Sequence, residues 1–479
     1  MKGSTDLNSL YIIGVVAAVL VLAPQICTFL VHTFYIVMSR VNKRKRTVVQ
    51  AKDITSTSSE ISFILPVRKE PLEYIARALN HVKSLGLPNY EIILVSDDSE
   101  EDKEQILKLV ENARKEGINV WFIWRSEPVG MRTGALNVGL YASIGRYIYV
   151  YDVDTMPERD FFYKAVSLLE ECDTCLGVVG RWEPLNLDSR VSEALAFGLE
   201  FIRKILFDAR SRLGFHIYPL GTGTLYKAYQ LKEVLKGWDP ARIQDDAELG
   251  ARLLCKGYRV VYLDEYAVKV ENPSTYKSFR VQQSRWAYGA LDAALSRLKC
   301  FIFSKSPLIV KLEALLYLLQ YVPSALSFTG AVVLSIITAL NPADYVERVF
   351  PLFLAWFFTM IIYTLLMYFE SHRKSVRELL TLSGRLTALG TASSPYVAVS
   401  TIKALLRVKE EYKRTPKGLY QKMYRSPRFP LELALGVYFA FGAIPSFMKG
   451  YYLTSITLCM FMLPFLYVTL RFRKDVFYR

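Results

Sequence analysis

The feature that most constrains this chain is where its apolar residues lie. They gather into long uncharged stretches at the two ends, and residues 61–300 keep the mixed charge and short apolar runs of a water-facing domain. A membrane-spanning helix needs about 20 apolar residues. Five stretches meet that requirement: 11–31, 314–343, 349–369, 433–448 lengthened by 429–431 across Glu432, and 451–470. The second is long enough to include a turn at the membrane interface. Lys449-Gly450 predicts a tight hairpin between the last two.

Basic residues orient the spans, because cytoplasmic flanks collect lysine and arginine. Arg40 and the run 43–46 follow the first stretch, and His372-Arg373-Lys374 follows the third. Bases from Lys413 to Arg428 precede the fourth, and Arg471, Arg473 and Lys474 follow the fifth. Five crossings put all of these on one side, with 341–348 and Lys449 on the other. The expectation is a multi-pass protein of the cell membrane with its amino terminus outside and its central domain cytoplasmic. A cleaved signal peptide would be shorter and would lack the basic patch on its carboxyl side. The net charge of +15 reads as juxtamembrane bases facing the anionic lipid bilayer. No helix-turn-helix, zinc-finger or RNA-binding pattern accompanies it, so no nucleic-acid partner is expected.

The expected organisation is a helix and basic linker over 1–57, a water-facing domain over 58–300 and a membrane region over 301–479. Within the last, 372–428 is too polar to span, and 397–406 reads as an amphipathic segment at the interface.

The central domain alternates strand-like and helical runs. Strands are predicted at 61–67, 91–95, 119–124, 147–151, 176–179 and 259–263, and helices at 101–116, 133–143, 188–210 and 274–298. Such alternation argues an α/β, Rossmann-like domain with a mostly parallel sheet and helices on both faces. Ligands of these sheets bind beyond the carboxyl ends of the strands. Two strands here end in acidic pairs, Asp97-Asp98 and Asp152-Val153-Asp154.

Asp152 and Asp154 place two carboxylates at one strand end, a donor set suited to a hard divalent ion that neutralises a diphosphate. Either Asp97 or Asp98 can accept hydrogen bonds from a nucleobase or ribose, or can cap the helix that follows. Asp245-Asp246 opens a further helix. With His32, His81, His216 and His372 poorly placed, carboxylates are the candidates for a general base. Gln282, Arg285 and Trp286 share one helical face. Arginine grips phosphate oxygens with a planar fork, and an indole offers an apolar platform to a sugar ring. Of six cysteines, Cys172 and Cys175 form a lone CxxC, expected as a local disulfide or buried thiols, since zinc would need two more ligands.

Over residues 60–300 the chain resembles the membrane-bound inverting family 2 glycosyltransferases of the cellulose, chitin and hyaluronan synthase type. Four motifs carry the resemblance in order: Asp97-Asp98, the DxD of Asp152 and Asp154, an ED-like Asp245-Asp246, and the QxxRW of Gln282, Arg285 and Trp286. Residues 131–137 also resemble the family's GALN segment, and 413–418 its threonine-proline-lysine element beneath the membrane. The resemblance implies a glycosyltransferase-A-like fold beside about five transmembrane helices and amphipathic interface helices. It implies that Asp97 or Asp98, Arg132, Asp152, Gln282 and Arg285 bind the donor. Mg²⁺ or Mn²⁺ would sit at Asp152 and Asp154, Asp246 would be the general base, and Trp286 would meet the acceptor. The position before Asp246 holds Asp245 where the family has glutamate. UDP-sugar is the donor the resemblance favours, with GDP-mannose open. The acceptor is either a growing β-linked polysaccharide or a lipid-linked glycan. A non-enzymatic transporter or scaffold would carry its functional charges inside the spans, whereas the notable acids here lie in the water-facing domain.

Overall fold

A computed structural model describes residues 2–41, 60–371, 375–412, 414–416, 418 and 426–478. The bases 43–46, the rest of the linker to residue 57, His372-Arg373-Lys374, Lys413 and Lys417 lie outside the described residues.

The chain opens with α1 (Lys2–Val41) and enters the sheet at β1 (Ile61–Val67). Then come α2 (Leu72–Ser84), β2 (Tyr90–Ser96), α3 (Glu100–Lys115), β3 (Val120–Trp124), α4 (Met131–Ala142) and β4 (Tyr147–Val150). These four strands pair in parallel in the order β3-β2-β1-β4. Their central residues are buried on both faces, which is why the runs read as continuously apolar rather than alternating. Ser99 starts α3 by accepting from the Asp102 amide, and acids fill that first turn.

β5 (Thr155–Pro157), α5 (Arg159–Glu171), β6 (Cys175–Pro184), β7 (Thr224–Lys227) and β8 (Arg259–Val270) complete an eight-stranded sheet, ordered β3-β2-β1-β4-β7-β6-β8-β5. Here the sheet departs from the mostly parallel expectation: β7 is antiparallel to β4 and β6, and β5 to β8. The chain leaves β6 at the carboxyl edge of the sheet and comes back to that same edge before β7, where Thr224 pairs with Val179, so β7 must run backwards. The excursion consists of α6 (Arg190–Ile202), a π-helical turn Arg203–Ala209 and α7 (Arg210–Leu213). Gly223 enters β7 with φ +89°, and a Cβ there would come within 3.0 Å of the Trp182 indole nitrogen.

α8 (Asp245–Cys255) and α9 (Tyr276–Phe303) lead from the sheet to the helical region. The apolar stretch 314–343 divides into α10 (Leu308–Leu318) and α11 (Val322–Leu340), with the anticipated turn between them. α12 (Tyr345–Arg348), α13 (Phe350–Glu370), α14 (Val376–Leu405), α15 (Leu431–Met448), α16 (Tyr452–Arg471) and α17 (Arg473–Phe477) follow. The amphipathic segment at 397–406 is the end of the 30-residue α14, which packs on α9, α11, α16 and α6.

Among the described residues five helices are long and apolar enough to cross a membrane: α1 from Asn8, α11, α13, α15 and α16. α1 and α11 approach closely because α11 offers Gly330, where a Cβ would lie 2.8 Å from that of Leu20. A buried ion pair ties this bundle to the sheet domain. Arg210 Nη2 donates to Glu313 Oε2 at 3.0 Å, and the Tyr35 hydroxyl donates to Glu313 Oε1 at 2.9 Å, joining α7, α10 and α1. Cys172 and Cys175 form the local disulfide, and a second bridge joins Cys255 at the end of α8 to Cys300 near the end of α9.

Candidate active site

The motif residues come from four chain segments, and the fold brings all of them except Asp98 to one cavity of about 930 Å³. The carboxyl edge of the sheet supplies Asp97 after β2, and Asp152 and Asp154 after β4. The first turn of α8 supplies Asp245 and Asp246, and one face of α9 supplies Gln282, Arg285 and Trp286.

The two residues of the first acidic pair part company. Asp98 turns inward, accepting from the Ser96 hydroxyl at 2.9 Å and from the Lys69 amide, and is buried. Asp97 faces the cavity and is gripped by both arms of Arg125, at 2.6 and 2.5 Å. Arg125 also donates to the carbonyls of Val129 and Met131 and so fixes the entry to α4. Nothing in the sequence singled out Arg125, which lies one residue past a strand end with no motif around it.

Arg132 is the electrostatic hinge of the site. Its guanidinium donates to Asp152 Oδ1 at 2.6 Å and to the Gly221 carbonyl at 2.6 Å, and lies 3.5 Å from Asp245 Oδ1. One cation thus holds the DxD loop, the loop before β7 and the start of α8 together. Asp154 is buried and also lines the cavity.

Asp246 accepts one backbone amide on each oxygen: Gly221 N on Oδ2 at 2.9 Å and Ala247 N on Oδ1 at 2.7 Å. The two bonds orient the carboxylate and leave lone pairs free for a proton. Burial, and next the charge of Asp245, push its pKa up to about 6, against the lowering effect of those two amides. Asp245 is also raised by burial, although Arg132 opposes the shift. A carboxylate poised near neutrality is what a general base needs.

Arg285 Nη1 donates to the Tyr412 hydroxyl at 2.9 Å, and its guanidinium lies over that ring, 5.0 Å from the centroid. Tyr412, Arg414, Thr415 and Pro416 also line the cavity. Arg414 donates to the Lys69 carbonyl at 2.7 Å and pairs with Glu70 at 2.8 Å, which ties this segment to the end of β1. Tyr412 gave no signal beyond its place ahead of a basic turn. His216 is remote from the chemistry: its Nε2 meets the Gly250 carbonyl at 2.9 Å, and burial lowers its pKa to about 3, so the ring is neutral.

No described cluster of three or more His, Cys, Asp or Glu could hold a metal by itself. Two adjacent carboxylates nevertheless fit a hard ion that arrives with diphosphate, since Mg²⁺-type sites use one or two carboxylates plus substrate phosphates and water.

Comparison with known proteins points to glycosyltransferases. Residues 62–229 match the model for "Glycosyl transferase family 2", and residues 147–369 that for "Glycosyl transferase family group 2". A "Probable glycosyltransferase" of Sulfolobus acidocaldarius is 29% identical over 451 residues, covering 92% of this chain and 96% of that protein. "Glucomannan 4-beta-mannosyltransferase 7" of Arabidopsis thaliana is 30% identical over 208 residues, 41% of this chain, and the match spans 36% of the plant protein. In fold, a mannosyltransferase from Pyrobaculum calidifontis, solved with GDP-Man and Mn²⁺, aligns over 82% of this chain and all of its own at TM-score 0.59 and 16% identity. The chain is therefore a glycosyltransferase with a glycosyltransferase-A-like fold, its residues 62–229 and 147–369 matching glycosyltransferase family 2 models, and it carries five membrane-compatible helices among its described residues.

Proposed function

We propose that the protein transfers a hexose from a nucleotide sugar to a growing β-linked glycan by a single inverting displacement on the cytoplasmic face of the cell membrane. The observation that carries this reading is the convergence of Asp152, Asp246 and Arg285 on one cavity, with the Asp246 pKa raised to about 6.

In this reading Asp246 takes the proton of the acceptor hydroxyl as that oxygen attacks the anomeric carbon of the donor. The bond from that carbon to the diphosphate breaks with its electron pair leaving on the nucleoside diphosphate. Arg285 exchanges its Tyr412 contact for the departing phosphates, aided by Gln282, while Trp286 carries the acceptor sugar on its ring face. Asp97 faces the nucleotide; Asp98 is already consumed in the strand-end turn. Asp152 and Asp154 would hold Mg²⁺ or Mn²⁺, which when bound supplies charge neutralisation at the diphosphate. Arg132 keeps Asp152 and Asp245 in place.

The names of the relatives bear on the donor. Mannosyl transfer in the plant relative and GDP-Man in the fold neighbour move GDP-mannose to the front, ahead of the UDP-sugar that the motif resemblance favoured.

The test uses purified protein in nanodiscs with labelled GDP-mannose, UDP-glucose, UDP-N-acetylglucosamine and UDP-galactose, each with Mn²⁺ or Mg²⁺. D246N is expected to bind donor as wild type does and to lose roughly 10²–10⁴-fold in transfer rate. Near wild-type turnover by D246N would remove Asp246 as the base.

A further inference from the structure

The cavity does not end at the carboxylates. It continues past α9 into the helical region, where Phe29, Met360, Leu386, Met460, Phe461 and Leu463 line it. Its deepest walls are Gln25 of α1, Trp356 of α13 and Cys459-Met460 of α16. At 1.5 Å per helical residue these lie about 17–24 Å from the carboxyl-terminal ends of their helices, well inside a hydrocarbon layer of about 30 Å. Beyond them the bundle closes. Ala17, Ala18, Val21 and Leu22 of α1 pack against Leu334 of α11 and Tyr345 of α12 in a fully buried cluster. Among the described residues nothing N-terminal to Gln25 lines the cavity, and neither α11 nor α15 contributes a wall. The intramembrane half is a blind, mainly apolar slot, whereas a passage for a hydrated polymer would need wall residues through to the outer ends.

The slot also has a collar with one charge on it, Arg203. Leu195, Leu199, Ile202, Arg203 and Leu206 line it at helical spacing along α6 and the π-helical turn. This stretch packs on Tyr35 and Ile36 near the end of α1 and on Met367 near the end of α13, so it sits where those helices leave the bilayer. The Arg203 side chain is 12% exposed, and its ion pair with Glu183 is long, 3.8 Å, because Glu183 already meets Arg181 at 2.8 Å. Arg203 Nε is buried with no hydrogen-bond partner among the described residues. π-Helical turns inside helices are frequent at functional sites.

We propose that the acceptor is carried on a polyprenyl-type lipid phosphate, with its chain in the blind slot, its phosphate at Arg203 and its terminal sugar hydroxyl at Asp246. The chain enters along α13, which packs along α1 and is otherwise largely exposed. This rests on the transferase reading above and names its acceptor class. The reaction is the same displacement: the anomeric carbon–oxygen bond forms to the lipid-borne sugar, and its proton passes to Asp246.

Two glycines of α14 make the test. Gly390 lines the cavity, Gly384 does not, and a Cβ at either meets nothing within 4 Å. Each glycine-to-phenylalanine change also favours the helix, so both variants should fold. Full-length protein in nanodiscs is labelled with a photoactivatable 55-carbon polyprenyl phosphate, and nucleotide release from labelled donor is followed in parallel on the wild type. Wild type and G384F are expected to label equally, with G390F at least tenfold lower and Arg203→Gln about tenfold weaker. Polyprenyl phosphate should compete, and polyprenol or inorganic phosphate should not. Equal labelling of G390F and G384F, or competition by polyprenol as strong as by its phosphate, overturns the proposal. Nucleotide release without labelling also overturns it and leaves the transferase reading standing. Labelling without nucleotide release supports the slot and counts against the transferase reading.

Discussion

Replacing Asp245 by asparagine removes one negative charge beside the proposed base and keeps nearly the same shape. Asp246 is raised from 3.8 to about 6, first by burial and next by Asp245. Asp245 also draws on Arg132, 3.5 Å away, so its loss leaves that cation more available to Asp246. Both effects stabilise ionised Asp246, so its pKa must fall in D245N. Burial remains, so the expected drop is about one unit, or about 1.4 kcal/mol. With a value near 6, about a quarter of the base is ionised at pH 5.5; with a value near 5, about three quarters is. The rate at pH 5.5 relative to the plateau should therefore rise about threefold. The assay is nucleotide release from saturating donor in nanodiscs, from pH 5 to 8.5, read as the position of the acid limb. A change in the plateau as Arg132 resettles does not affect the reading. An acid limb that stays in place or moves upward would refute the assignment of the charge pair.

The same raised pKa has a cost in stability. Below the unfolded value the carboxyl is protonated in both states; as pH rises from about 4 to 6 the unfolded chain ionises first, and stability falls. D246N is thus expected to melt at a higher temperature than wild type at pH 7 and at the same temperature near pH 4, as scanning fluorimetry in detergent would show. Arg210→Met strands the buried Glu313 carboxylate and should cost about 3–5 kcal/mol, with Arg210→Met combined with Glu313→Gln recovering much of the loss. Replacing Cys255 and Cys300 by serine opens a loop of 45 residues and should cost up to about 4 kcal/mol on the loop-entropy account; an unchanged melting temperature on reduction of wild type would show that the bridge adds nothing.

Legibility followed the range of the interactions. Long apolar stretches and strand–helix alternation report local demands, and they located the five membrane-compatible helices and the first four strands. The reversed β7 was not legible, because its direction depends on the path of α6 and the π-helical turn. The motif residues could be read because their spacing is local, and the fold gathers Asp97, Asp152, Asp154, Asp245, Asp246, Gln282, Arg285 and Trp286 at one cavity. Their partners were not legible. Arg125, Tyr412 and Arg203 act across 28, 127 and 20 positions, on Asp97, Arg285 and Glu183 respectively. The inward turn of Asp98 was not legible either, because it rests on its contacts with Ser96 and Lys69.

The seam between α1 and α11 bears on how the protein is made. α1 emerges before α11, yet the surface that receives Ala17 and Val21, with the Ser327 hydroxyl donating to the Val21 carbonyl, belongs to that helix roughly 280 residues later. At about 5–20 residues per second, the first helix waits on the order of tens of seconds before its partner leaves the ribosome. During that interval Gln25, which later accepts from the Trp356 indole at 3.0 Å, has no α13 to meet. Until then Gln25 and His32 are polar groups of an apolar helix that lack their eventual neighbours, the Trp356 indole and the Tyr363 hydroxyl.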